Sequence, residues 1–288
     1  MMAKNSSTAT TTADARISDK EFQAIRQLVY KAFGINLSEQ KKTLVVGRLQ
    51  KVLRQRGFDT FHDYLKWVSE DKSGDALEEL ANNISTNHTF FFRENAHFEF
   101  FAKKVLPEIT AKKQVTGTKE LRIWCAGCSS GEEPYTLMML IMEHLGHNLS
   151  NWKPLLLATD LSAKILTTAM AGQYTQERVS ELPAGLRNKY FLKLPDGNLS
   201  VADSVRKSIS FRQHNLMNAQ FPFKKQFDAI FCRNVMIYFD RETRNNLVAK
   251  FHKHMAPGGH FFIGHSESLG RGETEFKYVM PAVYRRTE

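Results

Sequence analysis

The sequence predicts an α/β protein with a helical preface: a small all-helical domain, then an open, largely parallel sheet flanked by helices and interrupted by a small antiparallel insertion. Three observations carry this. From Leu121 onward the apolar runs "LRIWC", "PLLLATD", "FDAIFC" and "HFFIGHS" alternate with helical segments and end in small or polar residues, as buried parallel strands do. Before residue 88 the apolar residues recur instead at helical spacing. Between Gly172 and Ser210 the alternation breaks around a Pro-Asp-Gly-Asn turn set between short strand-like runs. The 288 residues suffice for one large domain and a smaller one.

The elements follow in order. The opening "MMAKNSSTATTTADAR" lacks the apolar run of a secretory signal and reads as a disordered polar tail over 1–16. Ser18-Asp19-Lys20-Glu21 is a capping box that starts a helix carrying Phe22, Ile25, Leu28, Val29 and Ala32, with Gly34 able to stop it. A second helix holds Leu44, Val45, Leu49, Val52 and Leu53 and ends at Gly57; a third holds Phe61, Tyr64, Leu65 and Val68; a fourth holds Leu77, Leu80, Ala81 and Ile84. These four make a helical domain over 17–88. The aromatic stretch "STNHTFFFRENAHFEFF" leads into another helix through about Ile109 and the polar "AKKQVTGTKE", a linker and helix over 89–118. The α/β domain then occupies 119–288, with its insertion at 173–210.

Composition excludes several classes. With 42% hydrophobic and 24% charged residues the chain is ordinary globular protein, and no apolar run reaches the roughly 18 residues that cross a bilayer. Three cysteines, an odd number, suggest a reducing cytoplasm and no disulfide framework. The net charge of +10 permits nucleic acid, a membrane surface or an acidic protein as partner and selects none of them.

In an open parallel sheet, ligands bind beyond the carboxyl ends of the strands. That rule singles out Gly127, Asp160, Asn215 and Arg233-Asn234, which follow or lie near the apolar runs. After the first run comes "CAGCSSGEEP". Cys125 and Cys128 have redox spacing, but the acidic residues beside them would raise a thiol pKa, and a zinc site would need about four ligands where only Cys232 remains. The cysteines therefore read as small structural residues, and no metal is expected. The small residues of this turn let backbone approach a ligand closely. Glu132 and Glu133 open the next helix: either they complement its dipole, or they face a positively charged ligand such as a sulfonium. They do not suit a pyrophosphate, which needs bare helix N-terminal amides. Asp160, closing "LLLATD", is placed to accept ribose hydroxyls as in Rossmann-like sites. An acidic ribose binder without a phosphate loop favours S-adenosylmethionine over NAD.

The segments "STNHTFFFRE", "SSGEEPYTL", "ATDLS", "HNLM" and "FDAIFCRNVMIYFD" resemble the chemotaxis receptor methyltransferases, the CheR family, from about Ser18 to the C-terminus. The resemblance implies an all-α N-terminal domain and a Rossmann-like S-adenosylmethionine-dependent methyltransferase domain with a small inserted antiparallel β-subdomain. It further implies esterification of particular glutamates on the cytoplasmic helices of methyl-accepting chemotaxis receptors, with S-adenosylhomocysteine as product, by a cytoplasmic, monomeric enzyme that neither enters the membrane nor binds nucleic acid. Carried over by motif, the cofactor contacts are Asn87, Thr89 and Arg93 from the linker, Gly127, Glu133, Asp160 at the ribose, Asn215 and Leu216 at the adenine, and Arg233 and Asn234 beneath. Arg93 and Tyr238 would lie nearest the transferred methyl. Taken singly, Arg93 reads equally as an ion-pair partner of Glu94 or Glu99, Tyr238 as a core tyrosine, and Asn234 as a helix cap, for which Asp240 is better suited.

On the second helix Arg48, Lys51, Arg54 and Arg56 form a basic cluster. By default it is a solvated face; the resemblance implies a docking surface for the acidic receptor region. The inserted loop "KLPDGNLS" is short, which the resemblance associates with forms that do not depend on a receptor's C-terminal peptide. A nucleic-acid amino-methyltransferase would carry Asn/Asp-Pro-Pro-Tyr/Phe where this chain has "RNVMIY" without proline.

Overall fold

The computed structural model describes residues 16–270, 272 and 274–287, so the tail expected at 1–16 lies, apart from Arg16, outside the described residues. The chain divides into two compact units, one ending at Thr86 and the other beginning at Asn87. Among the described residues no helix is long and apolar enough to cross a membrane.

The first unit is four helices: α1 (Asp19–Phe33), α2 (Lys42–Arg56), α3 (Phe61–Glu70) and α4 (Asp75–Ile84). The capping box is formed, with Glu21 N donating to Ser18 Oγ at 3.3 Å and Ser18 N to Glu21 Oε2 at 2.7 Å. Gly34 and Gly57 end α1 and α2 in the left-handed conformation, as C-terminal glycines do. The core is Phe22, Ile25, Val29, Val45, Leu49, Tyr64 and Leu80. Leu44 is 51% exposed and does not belong to it.

The second unit opens with α5 (Asn95–Phe100), a π-helical turn (Phe101–Val105) and α6 (Leu106–Val115), one continuous run of helix. The π turn falls just before Pro107, whose missing N–H interrupts the regular ladder. Then follow β1 (Glu120–Ala126), α7 (Glu132–Leu145), β2 (Lys153–Asp160), α8 (Ala163–Ala171), β3 (Gln173–Tyr174), α9 (Ala184–Tyr190), β4 (Phe191–Lys193), β5 (Leu199–Val201) and α10 (Asp203–Arg206). The chain ends with β6 (Ile209–Gln213), β7 (Phe227–Phe231), α11 (Arg241–His254), β8 (Met255–Phe262), β9 (Phe276–Met280) and β10 (Val283–Arg286).

Seven strands form one sheet in the order β6-β2-β1-β7-β8-β10-β9, parallel from β6 to β8 and antiparallel at β10 and β9. A separate antiparallel sheet, β3-β5-β4, is the insertion. One boundary differs from expectation: the run from Ile209 pairs with β2 in the main sheet and is not part of the insertion. Ile209 and Phe211 are buried while Ser210 and Arg212 are exposed, so β6 alternates as a strand with one covered face does. Its apolar signal is therefore diluted. The link from β6 to β7, residues 214–226, is irregular, and its Phe221 and Phe223 pack with Phe227 and Phe251 around Trp124. The carboxyl ends of β1, β2, β6 and β7 share one edge of the sheet, where the candidate site lies.

Candidate functional site

The turn after β1 is folded over the end of β2. Thr159 O accepts from Gly127 N at 2.8 Å and Cys128 N at 2.9 Å, and the Trp124 indole donates to Thr159 Oγ1 at 2.9 Å. Gly127 has φ +88°, and a Cβ there would lie 2.4 Å from Val235 Cγ2. The glycine expected for ligand approach is thus also required by the neighbouring β7 loop. Asp160 is fixed by this turn and the next: Ser129 N donates to Oδ2 at 2.8 Å and Ser162 N to Oδ1 at 3.1 Å. His214 N donates to the Asp160 carbonyl at 2.9 Å, which brings Asn215 and Leu216 alongside. Asn215 Oδ1 accepts from Met217 N at 2.9 Å, and Lys250 Nζ donates to Leu216 O at 2.6 Å, holding this loop in shape.

The acidic pair stands in the first turn of α7, where it complements the helix dipole, and each carboxylate is also paired within the chain. Glu132 is fully buried, ion-paired to Arg178 of the insertion and hydrogen-bonded by Ser130 Oγ at 2.8 Å. Burial pushes its carboxyl up, against the pull of Arg178. Glu133 Oε2 accepts from Arg233 Nη1 at 2.6 Å, and its other oxygen faces Cys125 Sγ at 3.1 Å. Both charges are answered by arginines of this chain, so the pair offers no bare carboxylates to a sulfonium. The three cysteines are free and buried, and burial drives their thiols well above the usual range, which makes them poor nucleophiles.

Arg233 joins three segments. Its side chain is 1% exposed, pairs with Glu133 and with Glu94 Oε2 at 2.9 Å, donates to the Arg93 carbonyl, and stacks on Phe98. Burial works against the charge of Glu94, but the hydrogen bond and charge of Arg233, with His265 N and Asn234 Nδ2, hold its carboxyl below the ordinary value. Asn234 adopts φ +58°, and its N–H and that of Ile237 donate to the buried Glu267 at 2.9 and 3.1 Å. Gly264 packs so closely that a Cβ there would meet Asn234 Nδ2 at 2.4 Å. Asp240, as expected, caps α11 in place of Asn234. Four non-glycine residues at this edge have positive φ: Phe92, Glu94, Ser129 and Asn234. Such backbone persists only where surroundings over-determine it, and it gathers at functional sites.

From the linker, Asn87 O accepts from Ser129 Oγ at 3.3 Å, which draws this segment to the turn; Thr89 is half-buried beyond it. Arg93 pairs with neither expected carboxylate, since Glu94 is held by Arg233 and Glu99 by Lys103; it donates to His88 O at 2.5 Å and lies over Phe90. Tyr238 is half-buried in a 3-10 turn (Met236–Tyr238) on the loop after β7. Sequence reasoning missed Glu94, Arg178 and Glu267; Glu94 alone had a signal, standing beside Arg93 in "FFFRE". Glu94, His97 and His265 also approach one another within 4.8 Å, but the adjoining Arg233 opposes a cation there.

In the first unit the basic cluster of α2 divides. Arg48 donates to the carbonyls of Ile84 and Ser85 and to Thr86 Oγ1, closing the end of α4. Arg56 pairs with Glu79 and stacks on Trp67. Lys51 and Arg54 are exposed.

Two family models match the chain: the CheR methyltransferase all-alpha domain over residues 20–85 and the CheR methyltransferase SAM binding domain over 87–284. The chain is 45% identical to a chemotaxis protein methyltransferase of Borreliella burgdorferi over 270 residues, covering 94% of this chain and 95% of the relative. It is 37% identical to a probable chemotaxis protein methyltransferase of Rhizobium etli, covering 90% and 97%. It is 33% identical to the chemotaxis protein methyltransferase of Escherichia coli K12, covering 93% and 91%.

Proposed function

The chain belongs to the CheR family of S-adenosylmethionine-dependent methyltransferases, and from that premise we propose that it esterifies glutamate side chains on the cytoplasmic helices of methyl-accepting chemotaxis receptors. The products are glutamate methyl esters and S-adenosylhomocysteine, and the enzyme works in the cytoplasm as a monomer. The observation that carries the reading is the end-to-end likeness to chemotaxis methyltransferases, set on a sheet edge where Asp160 is held by two amides beside a glycine turn.

The donor set fits this cofactor. An immobilised carboxylate at the end of β2 is suited to ribose hydroxyls. Asp160 would hold the ribose, Asn215 and Leu216 the adenine, and Gly127 would admit the cofactor's backbone-facing edge. Glu133 acts through Arg233, which it fixes beside Glu94 and the Arg93 carbonyl; Asn234 and the linker residues Asn87, Thr89 and Arg93 would complete the cofactor contacts. The bound cofactor supplies an electrophilic methyl on a positively charged sulfur. A glutamate carboxylate, with an unperturbed pKa of about 4.3, is ionised at pH 7 and needs no general base. The leaving thioether is neutral and needs no general acid. The protein's task is alignment and exclusion of water, assigned here to Arg93 and Tyr238.

Lys51, Arg54 and Arg56 are the exposed part of the basic face offered to an acidic receptor; Arg48 and Arg56 also fix α2 to α4 and to Trp67. The test is incubation with methyl-labelled S-adenosylmethionine and chemoreceptor-bearing membranes, then mild alkali on the labelled receptor. Volatile methanol marks a carboxyl ester; alkali-stable label, or none, overturns the reading.

A further inference from the structure

Parallel strands are ordinarily covered by helices on both faces. One face of β2 and β6 departs from this. Leu156, Ala158, Ile209 and Phe211 face the core beneath α7 and α8, whereas Leu155 and Leu157 on the opposite face are partly exposed and Ser210 and Arg212 exposed. Leu157 stands in register with Ser210, so they share one thinly covered surface, Leu157 resting at one margin on the core around Trp124. The cause is the irregular link from β6 to β7: a crossover between parallel strands usually places a helix here, but Phe221 and Phe223 pack mainly on Trp124 of β1, Phe227 and Phe251, and leave much of this face of β2 and β6 open. What remains is a groove of about 610 Å³, floored by Leu155, Leu157 and Phe223, with the 46%-exposed Met170 at its margin.

The rim is cationic. Arg212 donates to Phe211 O and has no acidic partner among the described residues. Arg206 and Lys207 share one carboxylate, Asp203, at 2.5 and 2.7 Å. Arg122 lies 3.8 Å from Glu120, which also serves Lys225. The groove reaches the amino ends of β2 and β6, at Pro154 and Ile209, away from Asp160 at the carboxyl end of β2.

We propose that this groove is a docking site for an amphipathic helix of a partner protein, its apolar stripe on Leu155, Leu157 and Phe223 and its flanking carboxylates on Arg122, Lys207 and Arg212. Such a helix supplies in trans the cover that the chain's own connection omits. A nucleic acid would satisfy the rim but leave the leucines without an apolar partner. Occupancy leaves the candidate cofactor site open.

The probe is a designed, fluorescein-labelled amphipathic peptide with leucines at helical spacing flanked by glutamates, titrated against the full chain by anisotropy. Lysine-flanked peptide and single-stranded DNA are the controls. Two variants separate charge from shape: Lys207→Glu with Arg212→Glu, and Ser210→Trp, which fills the groove from an exposed position. Unchanged S-adenosylhomocysteine binding by both variants verifies their fold. The acidic peptide should bind the native chain, about tenfold more weakly after charge reversal and more weakly again after Ser210→Trp. Equal binding of both peptides, binding indifferent to both variants, or DNA competing for the same residues overturns the proposal. So does light scattering showing that the native chain forms a dimer which Ser210→Trp dissolves, since the occupant is then a second copy.

Discussion

Replacing Arg233 with Met removes the cation that joins the linker, α7 and the β7 loop, while keeping an apolar stem over Phe98. The guanidinium meets Glu133 at 2.6 Å and Glu94 at 2.9 Å and also donates to a backbone carbonyl. Hydrogen bonds to charged groups contribute about 1.5–3 kcal/mol each. Desolvation of a buried cation offsets much of their sum, and breaking a buried pair costs about 3–5 kcal/mol. We therefore expect Arg233→Met to lose about 4 kcal/mol at pH 7 in urea unfolding. The loss has a pH signature. In the native protein the Glu94 carboxyl lies below its unfolded value, so its contribution is complete above the unfolded pKa and disappears as pH falls through the folded one. Without Arg233, burial prevails, Glu94 binds a proton more readily folded than unfolded, and the variant's deficit shrinks on going from neutral toward acid. Adding Glu133→Gln should recover part of the loss, because the two residues share one network. A deficit under about 1 kcal/mol, or one that is the same in neutral and mildly acid buffer, refutes the reasoning.

Asp160→Asn should weaken S-adenosylhomocysteine binding about 10–100-fold by calorimetry, the worth of a charge-assisted hydrogen bond; unchanged affinity removes Asp160 from the site. Tyr238→Phe should lower turnover at least about tenfold with that affinity intact, an alignment effect, and equal turnover discards the role. Lys51→Glu with Arg54→Glu should raise the apparent KM for receptor and flatten its salt dependence. Arg48→Glu should instead lower the melting temperature, since Arg48 closes α4. Burial depresses His97 and His260 to about 4, so the folded chain resists protons that the unfolded chain accepts below about 6.5. Each should remove about 2 kcal/mol between pH 7 and 5, and His260→Leu should abolish its share; an unaltered pH slope contradicts this.

The helical unit was legible because its signals are local: the Ser18–Glu21 box and the glycines at 34 and 57 each dictate their own geometry. The central strands were legible because burial on both faces writes continuous apolar runs. β6 was misassigned because Ser210 and Arg212 break its run, and β9 was not read because Lys277, Tyr278 and Val279 are exposed at the sheet's antiparallel edge. At the candidate site, Asp160 and Gly127 followed from the rule about strand ends. The fate of Glu132 and Glu133 did not, because Arg178 and Arg233 lie 46 and 100 residues away in sequence and only tertiary folding pairs them. Likewise nothing local marks Phe92 and Glu94 for the left-handed region, which asparagine, as at 234, visits more readily.

The insertion is not a cassette. Tyr174 and Arg178 at its base are built into the β1–α7 turn, the tyrosine hydroxyl donating to Ser130 O at 2.7 Å and the arginine neutralising Glu132. Its tip, the Leu194–Asn198 turn between β4 and β5, is closed by its own backbone, with Leu194 N on Asn198 O at 2.8 Å. Evolution or an engineer can lengthen, shorten or replace the tip and leave the β1–α7 turn as it was. Excising the whole subdomain would strand a buried carboxylate in the middle of the site. Exchanging hairpin tips therefore disturbs this architecture less than transplanting the module.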